Sequence, residues 1–256
     1  MPNHDSEVAD RIQNNNLRSG ICSAASNFIT ESIREKYAYN FYWMGRPVIQ
    51  FPQDIVGVQE LVWSVKPDLI IETGIARGGS LVLSASLLAL LELCTAIDSG
   101  VHLDIYKPKK FVLGIDIDIR KHNLDAINGH PMANRIKMIQ GSSVGENTVA
   151  EVFRFASNFR NIMVFLDSNH SHDHVLSELK LYSKLVSKGS YLVVFDTICE
   201  DLPKEFMNDR PWGPGNSPKT AVWEFLKHSP DFEIDTNYEN KLLITAAKCG
   251  FIKRVK

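Results

Sequence analysis

Leu69-Ile-Ile-Glu72-Thr-Gly74-Ile-Ala-Arg-Gly78-Gly79-Ser80 runs directly into the apolar stretch Leu81 to Ile97. A short aliphatic run, a glycine-rich turn and a long apolar segment read as a buried strand, a tight turn and a helix. Three more aliphatic runs end on an acid in the same way: Phe111 to Asp116, Ile162 to Asp167 and Tyr191 to Asp196. Runs rich in Val, Ile, Leu and Phe suit strands covered on both faces of a parallel sheet. In such a sheet, ligands bind at the carboxyl ends of the strands. Glu72, Asp116, Asp167 and Asp196 therefore gather at one rim, fit for a ribose, a metal ion or a cation.

Working outward, helical stretches alternate with these strands: Lys121 to Ile127, Thr148 to Ala156 and His174 to Val186, with a further strand over Ile136 to Gln140. The expected fold is α/β, a doubly wound, Rossmann-like and mostly parallel sheet. After a Pro/Gly-rich loop (Pro203 to Pro218), a helix over Lys219 to Lys227 precedes two strand-like runs, Phe232 to Thr236 and Leu242 to Ala246. These predict a closing antiparallel hairpin. Three regions are expected: a loosely attached polar tail over residues 1–20, a helical or lid extension over 21–66, and the main domain over 67–256. In the extension, Asp54 is expected to cap a helix through Val58, Leu61 and Val62.

The chain has 256 residues, 44% of them hydrophobic, enough for a sizeable core. Its 28 basic and 30 acidic residues give a formal charge of -2, which argues against a nucleic-acid partner. Four scattered cysteines without a C-x-x-C pair argue against a zinc site and fit a reduced, cytoplasmic setting. The start, Met1 to Asn16, has no apolar signal-peptide run. Leu81 to Ile97 carries Ser84, Ser86, Glu92 and Cys94, so it is expected to be a buried helix and no integral membrane segment. A homo-oligomer is compatible with the apolar sheet end.

The turn over Gly74, Gly78 and Gly79 is neither G-x-G-x-x-G nor a Walker A loop. Asp116 stands where an acid accepts ribose hydroxyls, and Gly141-Ser142-Ser143 where a small turn meets an adenine edge. Asp167 and Asp196, at neighbouring strand ends, suit Mg²⁺ with its oxygen ligands and retained waters. His170 is a candidate general base, imidazole being the side chain most often used for that role. His170, His172 and His174 alternate, which raises a transition-metal reading; the α/β pattern opposes the jelly roll of non-haem iron hydroxylases. Tyr42 to Arg46 and Arg210 to Gly215 are candidate acceptor-side loops, ordinary packing under a long loop being the alternative for Trp43 and Trp212.

The order E-x-G-x-x-x-G-G-S from Glu72, then Gly114-Ile-Asp116, Gln140-Gly-Ser142 and Phe165-Leu-Asp167 resembles the class I S-adenosylmethionine-dependent methyltransferases. More closely, Val164 to His170 with Gly189 to Thr197 resembles the cephalosporin hydroxylase/rhamnosyl O-methyltransferase family, over roughly residues 40 to 256. LDSNHSHDH and RPWGPGNSPKTAVWEFL are the most specific segments. The resemblance implies S-adenosylmethionine contacts at Glu72, Gly74, Gly78, Ser80 and Asp116, beside Gly141, Ser142 and Asp167. It implies Mg²⁺ held by Asp167 and Asp196. Thr197 stands where catechol-type enzymes have an Asn, and Phe195 where antibiotic-pathway relatives have a Glu, so the third ligand falls to Thr197, Asn169 or a water. It also implies His170 and Asp167 as catalytic residues, and a sugar or other small-molecule acceptor from polysaccharide or glycolipid synthesis. An NAD-dependent oxidoreductase and a non-catalytic nucleotide-binding protein remain alternatives.

Overall fold

Leu69 to Thr73 is buried at every position, and so is Ile162 to Leu166, because both strands have helices on both sides. A computed structural model describes residues 3–256. The chain begins with α1 (His4–Asn15), α2 (Ser19–Arg34), a short hairpin of β1 (Phe41–Trp43) and β2 (Arg46–Val48), and α3 (Pro52–Val65). The main sheet is then laid down by alternation: β3 (Leu69–Thr73), α4 (Gly79–Ser99), β4 (Phe111–Asp116), α5 (Lys121–Asn128), β5 (Ile136–Gln140), α6 (Glu146–Ala156), β6 (Ile162–Leu166), α7 (His172–Tyr182) and β7 (Tyr191–Val194). The chain closes with α8 (Pro218–Lys227), β8 (Phe232–Ile234), α9 (Thr236–Leu242) and β9 (Phe251–Arg254).

The seven strands lie in the order β5-β4-β3-β6-β7-β9-β8. Pairings from β5 to β7 are parallel, and β9 pairs antiparallel with both β7 and β8. From β3 the chain first builds outward through β4 and β5, then returns to place β6 on the other side of β3. That reversal opens a crevice at the carboxyl ends of β3, β4 and β6. Side-chain alternation splits the core. Ile70, Met163 and Val193 pack under α3, α4 and α5, while Leu69, Val164 and Leu192 pack under α6, α7 and α8. Burying each such aliphatic side chain stabilises the fold by about 1.5–3 kcal/mol.

Four sequence expectations change. The C-terminal hairpin forms, but its second strand is β9, with Ile234 opposite Ile252. Residues 236–242 are helical because Asp235 accepts the amide of Asn237 at the helix start, and Tyr238 and Leu242, four apart, both pack on the core. Asp54 lies inside the first turn of α3, fully buried, where it accepts from the Thr245 hydroxyl and the Ala246 amide (2.9 Å). Within the region read as a loose tail, α1 is helical although it buries no side chain, with the Asn15 amide donating to the Asn240 carbonyl (2.9 Å); residues 1 and 2 lie outside the described residues. Helix α4 is long and apolar enough to cross a membrane. Its first half is sealed in the core, whereas Leu90, Leu93 and Ile97 are exposed.

Candidate active site

Gly74 leaves β3 with φ +89°, and a Cβ there would collide with the Asp167 carbonyl. Glycine is therefore required both for the turn and for the close approach of β3 to the segment after β6. Gly78 and Gly79 have other partners: side chains there would strike Ile127 on α5 and the Pro47 carbonyl of the β1–β2 hairpin. Glu72 points away from the crevice, toward α4, where the Ser84 hydroxyl donates to it. Burial pushes its carboxyl up to about 7, against hydrogen bonds from Ser84 and Ser80 that pull it down. Glu72, Gly78 and Ser80 thus build the turn from behind.

Asp116, at the end of β4, does touch the turn from the open side. One oxygen accepts the amides of Ile75 (2.8 Å) and Ala76 (3.2 Å), and the other accepts the amide of Asp118 (3.0 Å). Ala76 is held at φ +46°. Outside the turn, Arg46 donates to the Arg77 carbonyl (3.0 Å) and Asn123 donates to that of Ala76 (2.9 Å). Trp43 donates to the Ser86 hydroxyl (2.9 Å), so the Tyr42–Arg46 loop clamps the turn rather than facing an acceptor.

Two cavities meet at this rim. The smaller, about 300 Å³, is lined by Gly74, Asp116, Ile117, Ser142, Asp167 and His174 among others. Gly141 stands behind its wall, where its amide donates to the Asp116 carbonyl (2.8 Å). Of the eight residues expected at the cofactor, Gly74, Asp116, Ser142 and Asp167 line this cavity, and Glu72, Gly78, Ser80 and Gly141 support it. Sequence reasoning missed a buried network beneath it. His174 Nε2 approaches the Ser143 hydroxyl (3.1 Å), the Ser168 hydroxyl (3.3 Å) and Glu178 (3.3 Å), while Ser168 donates to Glu178 (2.7 Å). Glu178 is wholly buried. The spacing of His174 and Glu178, one helical turn apart, was the available signal.

The larger cavity, about 690 Å³, lies between α2 with the turn after it and the segment 196–212. Tyr37, Phe206 and Trp212 supply aromatic wall, and Arg34 and Arg210 lie over the rings of Phe206 (5.3 Å) and Trp212 (5.5 Å). The expected Arg210–Gly215 loop is therefore present at the site, and α2, within the extension read as helical or lid, supplies the facing wall. Ala76, Asp167, Ser168 and Trp212 line both cavities.

At the junction, Asp167, His170 and Asp196 place one potential ligand atom each within 4.8 Å of one another. His170 Nε2 is 3.1 Å from Asp196 Oδ2, and its ring meets Trp212 edge-on at 5.1 Å. Asp196 adopts φ +55°, a strained backbone that the Phe195 amide on the Leu166 carbonyl (3.0 Å) holds in place. Burial raises the Asp167 carboxyl well above the usual range, and Asp196, Glu72, Glu178 and Asp54 add negative charge that raises it further. A bound cation would relieve that repulsion, so the donor set fits a divalent ion. Thr197 is not part of it: the side chain is buried and donates to the Ala246 carbonyl (3.3 Å). Asn169 accepts from the Ser171 amide (2.9 Å) and hydroxyl (2.7 Å) at the start of α7.

Residues 35–255 match the family model Rhamnosyl O-methyltransferase/CmcI. The rhamnosyl O-methyltransferase of Mycobacterium leprae (strain TN) is 29% identical over 245 residues, 92% of this chain and 95% of that protein. The Mycobacterium tuberculosis (strain H37Rv) protein of the same name is 29% identical over 243 residues, 90% and 86% of the two chains. Among solved structures, CmcI with Mg and SAM superposes with a TM-score of 0.54 at 19% identity, covering 85% of this chain and 78% of that one. CalS11, a TDP-rhamnose 3'-O-methyltransferase of calicheamicin biosynthesis, gives 0.50 at 14% identity, covering 82% and 86%. These structural likenesses show the shared fold.

Proposed function

The chain is a member of the rhamnosyl O-methyltransferase/CmcI family, and from that premise we propose that it transfers a methyl group from S-adenosylmethionine to a hydroxyl of a sugar-bearing small molecule. The observation that carries this reading is the shared wall of the two cavities: Asp167 faces both, so a donor in the smaller and an acceptor in the larger would meet beside it. Asp116 supplies a carboxylate for ribose hydroxyls, and Ser142 a small polar edge for the purine. Residues 67–256 form the methyltransferase domain. Residues 21–66 are its lid, since α2 walls the acceptor cavity, and the described part of 1–20 is a peripheral tail.

Transfer is an in-line displacement: the acceptor oxygen bonds to the methyl carbon as the carbon–sulfur bond breaks, releasing S-adenosylhomocysteine and the hydroxyl proton. Asp167, His170 and Asp196 orient the hydroxyl at the floor of the larger cavity. Trp212 walls the junction and limits water there. Asp167 and Asp196 would hold a divalent ion, which would polarise the hydroxyl and lower its pKa. The four free cysteines support a cytoplasmic setting. Methyl-labelled S-adenosylmethionine, incubated with a panel of rhamnosyl glycosides, tests the reading. Label should enter a glycoside oxygen with wild type and not with Asp167→Ala; no transfer to any sugar would overturn the acceptor class.

A further inference from the structure

The three alternating histidines after β6 go three ways. His172 engages Thr220 (2.8 Å) and Glu224 (3.3 Å) on α8, His174 turns to Glu178, and His170 alone faces the carboxylates at the cavity junction. The oxygen donors that the sequence offered as a third ligand are committed elsewhere. Phe195 fills that strand position with a ring packed on Phe165 at 6.0 Å, Thr197 is spent on Ala246, and Asn169 accepts from the Ser171 amide and hydroxyl just before α7. His170 Nε2 is different. It lies 3.1 Å from Asp196 Oδ2, and one donor atom each of Asp167, His170 and Asp196 falls within 4.8 Å of the others, so the three could converge on a single ion. The edge of Trp212 fixes the ring, whose side chain is only 15% exposed.

We propose that His170 is the third protein ligand of an Asp167–His170–Asp196 centre, and that this centre selects an imidazole-binding transition ion of the Fe²⁺, Co²⁺, Ni²⁺ or Zn²⁺ class over Mg²⁺. The proposal rests on the methyltransferase reading of the site and replaces the role of His170 as base. Mg²⁺ favours an all-oxygen shell with several waters, whereas a nitrogen donor adds affinity for the later first-row ions. The ion's oxidation state does not change. The methyl moves from sulfur to oxygen, and the acceptor proton passes to water in the wide outer cavity.

Cobalt(II) absorption titrations, competed with Mg²⁺, test this on wild type, His170→Gln and His170→Asp. In His170→Gln, Co²⁺ affinity should fall at least about tenfold while Mg²⁺ affinity changes less than about threefold. His170→Asp, with three carboxylates, should bind Mg²⁺ more tightly than wild type and lower the Co²⁺/Mg²⁺ affinity ratio at least about tenfold. Equal losses for both ions, or none for either, would overturn the ligand role. S-adenosylhomocysteine titration of the same samples separates the two readings. Binding to wild type with an unaltered metal preference in the variants sinks only the ligand role, whereas no binding to wild type sinks the methyltransferase reading beneath it.

Discussion

The wall of the smaller cavity comes from strand ends and the turns directly behind them, whereas the wall of the larger cavity is gathered from α2, the turn after it and the segment 196–212. The first is fixed by backbone: Asp116 holds two amides of the glycine turn, and Gly74 touches the Asp167 carbonyl. The second is fixed by side chains, with Arg34 over Phe206 and Arg210 over Trp212. A wall made of backbone serves a constant ligand such as the methyl donor. A wall made of side chains on distant segments can be recut for different acceptors without disturbing the sheet.

Substitutions can break that contrast, beginning with the largest effect. Gly74→Ala forces a side chain into a left-handed backbone position and against the Asp167 carbonyl. We expect a loss of about 3 kcal/mol or more in urea unfolding, together with loss of S-adenosylhomocysteine binding. Glu72→Gln acts in the opposite direction. The Glu72 carboxyl rises from the usual 4.5 to about 7 on folding, so between these pH values the native state holds a proton that the unfolded chain releases. Wild-type stability from this group is fully present below pH 4.5 and is lost as pH rises through 7. The variant, with no proton to lose, should match wild type near pH 4 and exceed it at pH 8 by roughly 3 kcal/mol. Unfolding at a series of pH values checks this, and a constant difference would contradict it.

On the acceptor side the effects are smaller and selective. Phe206→Ala removes one aromatic wall and the ring under Arg34. Acceptor KM should rise about tenfold, near 1.4 kcal/mol, while S-adenosylhomocysteine affinity stays within about twofold. A matching loss of cofactor affinity would mean that the two walls are not independent.

The same contrast decides what could be read from sequence. Strands β3, β4, β6 and β7 declare themselves because burial on both faces demands aliphatic runs, and the rim acids recur where those runs stop. Leu242 to Ala246 looks equally strand-like, yet it has no ladder. The Ala246 amide donates to Asp54, and its carbonyl accepts from Ile198 (3.2 Å) and Thr197. Those partners are distant in the chain, so apolar pattern alone misplaced the last strand. Glu72 misled for a related reason: an acid at a strand end reads as rim, but the pleat turns this one toward α4. A helical or lid extension over 21–66 was legible, but not which of its residues wall the cavity, because Ser32, Ile33 and Arg34 carry no pattern beyond that of a helix.

The central claim is that the methyl donor lies against Asp116 and not against Glu72. Calorimetric titration of S-adenosylhomocysteine into wild type, Asp116→Ala and Glu72→Gln tests it most directly. We expect micromolar binding to wild type, at least about a hundredfold loss in Asp116→Ala, and wild-type affinity in Glu72→Gln. Unchanged binding in Asp116→Ala, or a loss confined to Glu72→Gln, would contradict the account.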